Sequence, residues 1–398
     1  MKMNFFPCRE ILRSFLFPAL CLGSVGRTDV SSVSRPNVLF IISDDLNDFV
    51  GPLRGYVPNL TPNMDRLAAR GVSFKNAEAN GLYCAPSRTS LLTGFYPTTT
   101  GYYGGEDNAR GHMRNTPAIK DAVTIPQMFM NSGYATFVTG KLYHILSHAE
   151  YQYFTGDTGG ADGHLLPHDF GPWPWDGVRN PPGKYLPPVP HPGGYPPFNT
   201  LSRSGFSRLS NIPDVPADPA HGIPGYRGWT LHQRPWKYVN DGNRARMPDE
   251  QSVKWATERL MRGRDKPFFM VVGLVRSHTP WYVPDQYFDL FPLDQIPLPP
   301  AILDDPTPGD SREGKLGPHD KGWDTFKTFY NAAGEQGLKE ILQAYLAAIR
   351  FVDDQIGDLM KALDESPAAS NTLIVYTSDQ GYHNGEKHRY GTNTCWER

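Results

Sequence analysis

Cysteine is scarce in this chain of 398 residues: four occur, Cys8, Cys21, Cys84 and Cys395. Two of them lie in the first 21 residues, within a segment that reads as a leader, so no disulfide framework is expected. An excess of one charge is missing as well. Lys plus Arg number 39 and Asp plus Glu 41, a formal net charge of −2. That balance argues against a nucleic-acid binder, which carries a basic excess. It leaves room for an anionic substrate in a locally basic pocket. No apolar run is long enough to span a bilayer, no internal repeat is visible, and no Cys/His spacing suits zinc.

Hydrophobic residues make up 39% and charged residues 20%, which predicts a folded core. Gly (39) and Pro (38) are frequent, so turns and long ordered loops are expected and a helical bundle is excluded. The length fits two or three domains, or one large α/β domain with an appendage. At the N-terminus, basic Lys2, Arg9 and Arg13 precede the apolar run FLFPALCLGSV. This pattern predicts a signal peptide over residues 1–26, cleaved after Gly26, and hence export to the periplasm or the extracellular space.

Several segments read as helices or buried strands. Asn37 to Ser43, NVLFIIS, is a continuous apolar run, as in a strand covered on both faces of a parallel sheet. TPNMDRLAARG follows as a helix, with Thr61 as cap, Pro62 in its first turn and Gly71 as stop. TIPQMFMNSGY predicts a helix and ATFVTG a strand ending at Gly140. DEQSVKWATERLMRG predicts another helix, and PFFMVVGLV from Pro267 another strand. The longest helix is expected from Gly337 to Asp364, and the last strand in TLIVYTSDQG. This alternation implies a doubly wound α/β domain over residues 35–398, built on a mostly parallel sheet. Residues 155–248 break the pattern, being rich in Pro, Gly and aromatics, and read as an ordered insertion over the site.

In such sheets the site lies at the carboxyl ends of the strands. Asp44, Asp45, Asp379 and Gln380 fall there. Alone, the paired acids serve equally well as turn or cap residues. If they converge, the carboxylates repel one another unless a cation neutralises them, and their oxygens suit calcium or magnesium. Cys84, in GLYCAPSRTSLLTG, is a poor ligand for such a hard cation. As plain cysteine it reads as a buried hydrophobe or a thiolate nucleophile.

The string C-A-P-S-R followed by L-L-T-G strongly resembles the signature of the type I sulfatases. The likeness runs from RPNVLFIISDDLNDF through TPNMDRLAARGVSFKNAEANGLYCAPSR to TSDQGYHNGEK. GKLYH at 140–144, VVGLVRSHTPWYVP at 271–284 and the paired acids resemble the iduronate-2-sulfatase-like branch. The resemblance implies an alkaline-phosphatase-like fold and a Cys84 oxidised to Cα-formylglycine. The agent that the resemblance implies is a formylglycine-generating or anaerobic sulfatase-maturating enzyme. It implies one calcium ion held by Asp44, Asp45, Asp379, Gln380 and the modified Cys84. Arg88 would stabilise the aldehyde hydrate, and Lys141 would contact its oxygen and the sulfate. His144 would act as base in sulfate release, and His278 would protonate the leaving alcohol.

The implied activity is removal of sulfate from a sulfated, uronic-acid-containing or related acidic polysaccharide. Arg179, Lys184 and Arg276 are candidates to meet further carboxylates or sulfates, and Trp173 and Trp175 to stack on sugar rings. Competing readings are a phosphodiester or phosphonate monoester hydrolase of the same superfamily, and a non-catalytic sulfated-glycan-binding protein. Two departures stand out. Thr392 occupies the register of a sulfate-contacting lysine, with Lys387, His388 and Arg389 nearby but out of register. The chain also ends at Arg398, where the family continues into an antiparallel C-terminal subdomain, so a fragment is expected.

Overall fold

The computed structural model describes residues 35–56, 61–82, 84–103, 112–144, 150, 152–155, 170–174, 189–190, 200–201, 205–211, 214–215, 226–227, 229–231, 234–299, 329–330, 333–386 and 389–392. Its centre is a four-stranded parallel sheet. The strands are β1 (Asn37–Ser43), β2 (Ala135–Gly140), β3 (Phe268–Leu274) and β4 (Thr372–Ser378). Their spatial order is β4-β1-β3-β2, so β1 sits between β4 and β3. Registers such as Ser43 opposite Leu274 and Ser378 bring the carboxyl ends level. β3 is buried at all seven positions, as its unbroken apolar sequence requires.

Helices cover both faces. α1 (Pro62–Ala69), α4 (Pro248–Leu260) and α5 (Glu335–Asp364) share one core with Leu39, Ile41, Met270 and Val272. On the other face, α2 (Cys84–Thr93) and α3 (Ile125–Asn131) pack with Val38, Ile42, Phe269 and Val271. The alternation along β1 therefore feeds two cores, the mark of a doubly wound sheet. No described helix is long and apolar enough to cross a membrane.

One helix start differs from the expectation. Thr61 does not cap α1; its hydroxyl accepts from the Gly51 N–H at 2.8 Å. The carboxylate of Asp353, from α5, accepts instead from the N–H groups of Asn63 and Met64 at 2.8–3.1 Å. A side chain 290 residues away does the capping, and no local signal announces it.

Two glycines let the strand ends cross closely. Gly140 has φ +69°, and a Cβ there would lie 1.8 Å from the Gly273 carbonyl oxygen. A Cβ on Gly273 would lie 2.2–2.5 Å from the backbone of Lys141. The pair thus sets where Lys141 leaves the sheet. Gly273→Ala is expected to destabilise the fold by about 3 kcal/mol through this backbone clash. An unchanged denaturation midpoint would contradict it.

Candidate active site

Four strand ends and one helix start build the site. Asp44 and Asp45 leave β1, Lys141 leaves β2, Ser277 and His278 follow β3, and Asp379 and Gln380 leave β4. Cys84 opens α2 beneath them, and Arg88 lies one turn along the same helix. Asp44, Asp45, Cys84, Arg88, Lys141, Asp379 and Gln380 are all buried. His278 and His144 are half-buried. All nine residues read from the sequence as site candidates therefore gather around one sheet edge.

Asp45 adopts φ +59°, a conformation uncommon for a residue with a side chain. It is held from both sides: its N–H donates to Asp379 at 3.1 Å, and its carbonyl accepts from the Tyr345 hydroxyl at 2.9 Å. Tyr345 lies in α5 and was not a sequence candidate. Ser277, also missed, donates to the Asp44 carbonyl at 3.2 Å. Ser87 donates to the Asp379 carbonyl.

Arg88 is the hub of the charge network. Its guanidinium donates to Asp379 at 2.8 Å, to Asp44 at 2.9 Å, and to the carbonyls of Lys141 and Leu142 at 2.6 and 3.1 Å. The Lys141 ammonium donates to the other Asp44 oxygen. Burial opposes the Asp44 charge, but Lys141 and Arg88 outweigh it and hold the carboxyl well below its usual range. Asp45 and Asp379 differ. Burial raises both, and Asp379, despite Arg88, is pushed up to about 7.

Two cations therefore do not suffice to keep three buried carboxylates charged. Oxygens of Asp44, Asp45 and Asp379 lie within 4.8 Å of one another. Gln380 donates to Asp45 at 2.7 Å and to the Cys84 sulfur at 3.2 Å. Its buried carbonyl oxygen, Oε1, has no hydrogen-bond partner among the described residues. Three converging carboxylates and an orphaned amide oxygen fit a hard divalent cation. The Cys84 thiol is pushed well up by burial and by the Asp44 carboxylate, with Asp45 and Asp379 adding to it. The residue is therefore a poor thiolate nucleophile as cysteine.

His278 directs Nε2 to within 3.6 Å of Asp45, while Nδ1 lies 2.5 Å from the Thr279 carbonyl. His144 is pushed down from the usual 6.5 to about 4 by burial first and by Lys141 next. It is a neutral imidazole at physiological pH.

A family model for sulfatases matches residues 36–398. The chain belongs to the sulfatase family. It is 35% identical over 395 residues to a sulfatase of Formosa agariphila, across 97% of this chain and 67% of that one. It is 30% identical over 390 residues to iduronate 2-sulfatase of Mus musculus, across 95% and 60% respectively, which relates it to the iduronate 2-sulfatases. The chain thus spans roughly three-fifths to two-thirds of the length of these relatives. Among solved structures, the phosphonate monoester hydrolase of Silicibacter pomeroyi shares the fold, with TM-score 0.59 and 19% identity over 91% of this chain and 66% of that one.

Other candidates of the sulfatase-family chain land elsewhere. Arg276 does not face a substrate. It is 1% exposed, and its guanidinium donates to the backbone carbonyls of Phe170 and Gly171 at 3.0 Å each. The segment supplies carbonyl acceptors in the interior, and one guanidinium nitrogen, Nη2, satisfies two at once. Trp173 is half-buried in a two-residue strand beside Thr230. Arg389 is buried and Thr392 half-buried. Trp175, Arg179, Lys184, Lys387, His388 and the leader lie outside the described residues.

Proposed function

We propose that this chain is the catalytic part of a sulfuric ester hydrolase acting on a sulfated carbohydrate, and that Cys84, as formylglycine, is its nucleophile. The observation that carries the reading is the position of Cys84. It opens a buried helix, its sulfur 3.7 Å from Asp45 and 3.2 Å from Gln380, inside the one oxygen cluster that fits a divalent cation among the described residues. Calcium held by Asp44, Asp45, Asp379 and Gln380 would supply Lewis-acid polarisation of the sulfate oxygens, and formylglycine would supply an oxygen nucleophile.

The side chains then divide the remaining work. Arg88 pairs with both Asp44 and Asp379 and holds the two carboxylates in place. Lys141 presents a buried ammonium beside Asp44, available to the oxygens of the transferring group. Neutral His144 can take a proton from the nucleophile when sulfate is released, and His278 can give one to the leaving alcohol. A uronic-acid-bearing glycan is the proposed substrate class, supported by the likeness to iduronate 2-sulfatase. Export through the leader at 1–26, and maturation by a formylglycine-forming enzyme, belong to the same proposal.

Matured protein screened against sulfated glycosaminoglycan and algal oligosaccharides should release inorganic sulfate from at least one class. Release of phosphate from phosphodiesters or phosphonates alone would replace the reading with phosphoryl transfer. His144 gives a pH signature. Because its proton affinity is lowered to about 4, the base stays available down to about pH 5, so the acid limb of kcat should lie below that. An acid limb near 6.5 would assign the base to another group. His278→Ala should cut kcat for sugar sulfates by about 100-fold, and far less for an aryl sulfate whose leaving group needs no proton. Equal losses on both would remove His278 as the acid.

A further inference from the structure

Among the described residues of the aromatic-rich insertion, Phe170 lies at the site. The Phe170 ring lies against two of the groups assigned to the chemistry. Its centroid is 4.7 Å from that of the His278 imidazole, with the planes tilted by 55°. The Lys141 ammonium lies 5.0 Å from the same centroid. An aromatic face attracts a cation at that range and offers an imidazole one preferred packing orientation.

The ring is placed there by a buried anchor. Arg276 donates to the Phe170 and Gly171 carbonyls at 3.0 Å each, and is itself held from behind. The Arg276 N–H donates to the Asp249 carboxylate at 3.0 Å, and the Val275 N–H donates to the other oxygen at 2.7 Å. Asp249 and Arg276 are both buried. The strand β3 extension that carries His278 and the insertion that carries Phe170 are therefore tied through one arginine. A floppy connection would leave the two rings free to separate; this one does not.

Among the described residues, the Phe170 ring is the aromatic face recorded against the imidazole. Nδ1 at the Thr279 carbonyl sets one edge, and the ring can still swing about that contact. Phe170 blocks the swing on one face and leaves Nε2 directed at the cluster, 3.6 Å from Asp45.

We propose that Phe170, anchored by Arg276, is a positioning residue that orients the His278 imidazole for proton delivery to the leaving alcohol. This rests on the sulfatase reading above. Phe170 touches no reacting atom in this scheme. An effect passing through His278 should carry the leaving-group signature of His278, whereas one passing through Lys141, which meets the same ring, would lower both probes alike.

The test uses matured, metal-loaded full-length protein with a hexuronate 2-sulfate and 4-nitrophenyl sulfate as probes. Phe170→Ala should lower kcat on the sugar sulfate about ten- to a hundredfold, and on the aryl sulfate by no more than about threefold. Phe170→Tyr, which keeps the ring, should retain most of the sugar activity. In a His278→Ala background, Phe170→Ala should cost little more, because the two changes remove one function. Equal losses on both probes, or full additivity with His278→Ala, would overturn the proposal. A second reading is independent of turnover. The imidazole proton signals of His278 should shift in folded Phe170→Ala protein as the ring current is lost and the orientation relaxes. Unmoved signals would overturn the positioning even in an active enzyme. A parent protein that releases no sulfate but shows the shift would instead remove the sulfatase reading and leave standing only the packing of Phe170 on His278.

Discussion

Cys84→Ala is expected to abolish sulfate release, by a factor on the order of 10⁴ or more, while the fold survives. The sulfur is a small part of a well-packed helix start, so its loss should cost about 1 kcal/mol of stability. The loss of activity would be far larger, because the change removes the proposed oxygen nucleophile from beside the cluster of Asp44, Asp45, Asp379 and Gln380. The same position explains why plain cysteine cannot serve. Burial and the neighbouring carboxylates push its thiol well up, which disfavours the thiolate. Mass spectrometry of the peptide spanning residues 80–90 should therefore show the formylglycine mass in active protein. Only unmodified thiol in an active preparation would sink the proposal.

Removal of the divalent cation should lower activity and thermal stability together. Three carboxylates within 4.8 Å, all buried, repel one another once the charge between them is gone. A cation bound at a hundred times its Kd stabilises by about 2.7 kcal/mol, so a chelator should reduce Tm by several degrees. The pH dependence of the stripped protein supplies a sign. Asp379 is raised from 3.8 to about 7, so between these values the folded state holds a proton that the unfolded state has released. The contribution of this group is therefore fully present below about pH 4 and is lost as pH rises through 7. Loading the cation should remove that slope by keeping Asp379 ionised in the folded state. Calcium or magnesium should restore both activity and Tm. Stoichiometric zinc without a group-two metal in active protein would contradict the assignment.

The strands were legible because each is a local statement. NVLFIIS is apolar at nearly every position, and it forms β1 over Asn37–Ser43 as expected. The run read from Pro267 forms β3 from Phe268, and the helix read from Gly337 begins at Glu335. Alternating strands and amphipathic helices then imply a doubly wound sheet, and its carboxyl edge follows from that topology. The cysteine string and the acids at two strand ends could be picked out for the same reason: each motif is contiguous.

What could not be read was decided by contacts between distant segments. Thr61 has the local signs of a cap, yet Asp353 does the capping, because α5 lays its carboxylate against the start of α1. Arg276 looks like a substrate-facing cation, yet it is buried, because the insertion brings two carbonyls within its reach. Tyr345 sits in an apolar stripe at helical spacing, and only packing turns its hydroxyl to the Asp45 carbonyl. Phe170 lies in a stretch without periodicity, where no pattern marks one aromatic among many. The sequence by itself determined the elements, the sheet edge and the chemical types gathered there, since these depend on side-chain periodicity and on residues adjacent in the chain. The tertiary structure alone decided which charges are buried together and which ring lies on His278. Those depend on long-range burial and on hydrogen bonds between segments over a hundred residues apart, and no local pattern encodes them.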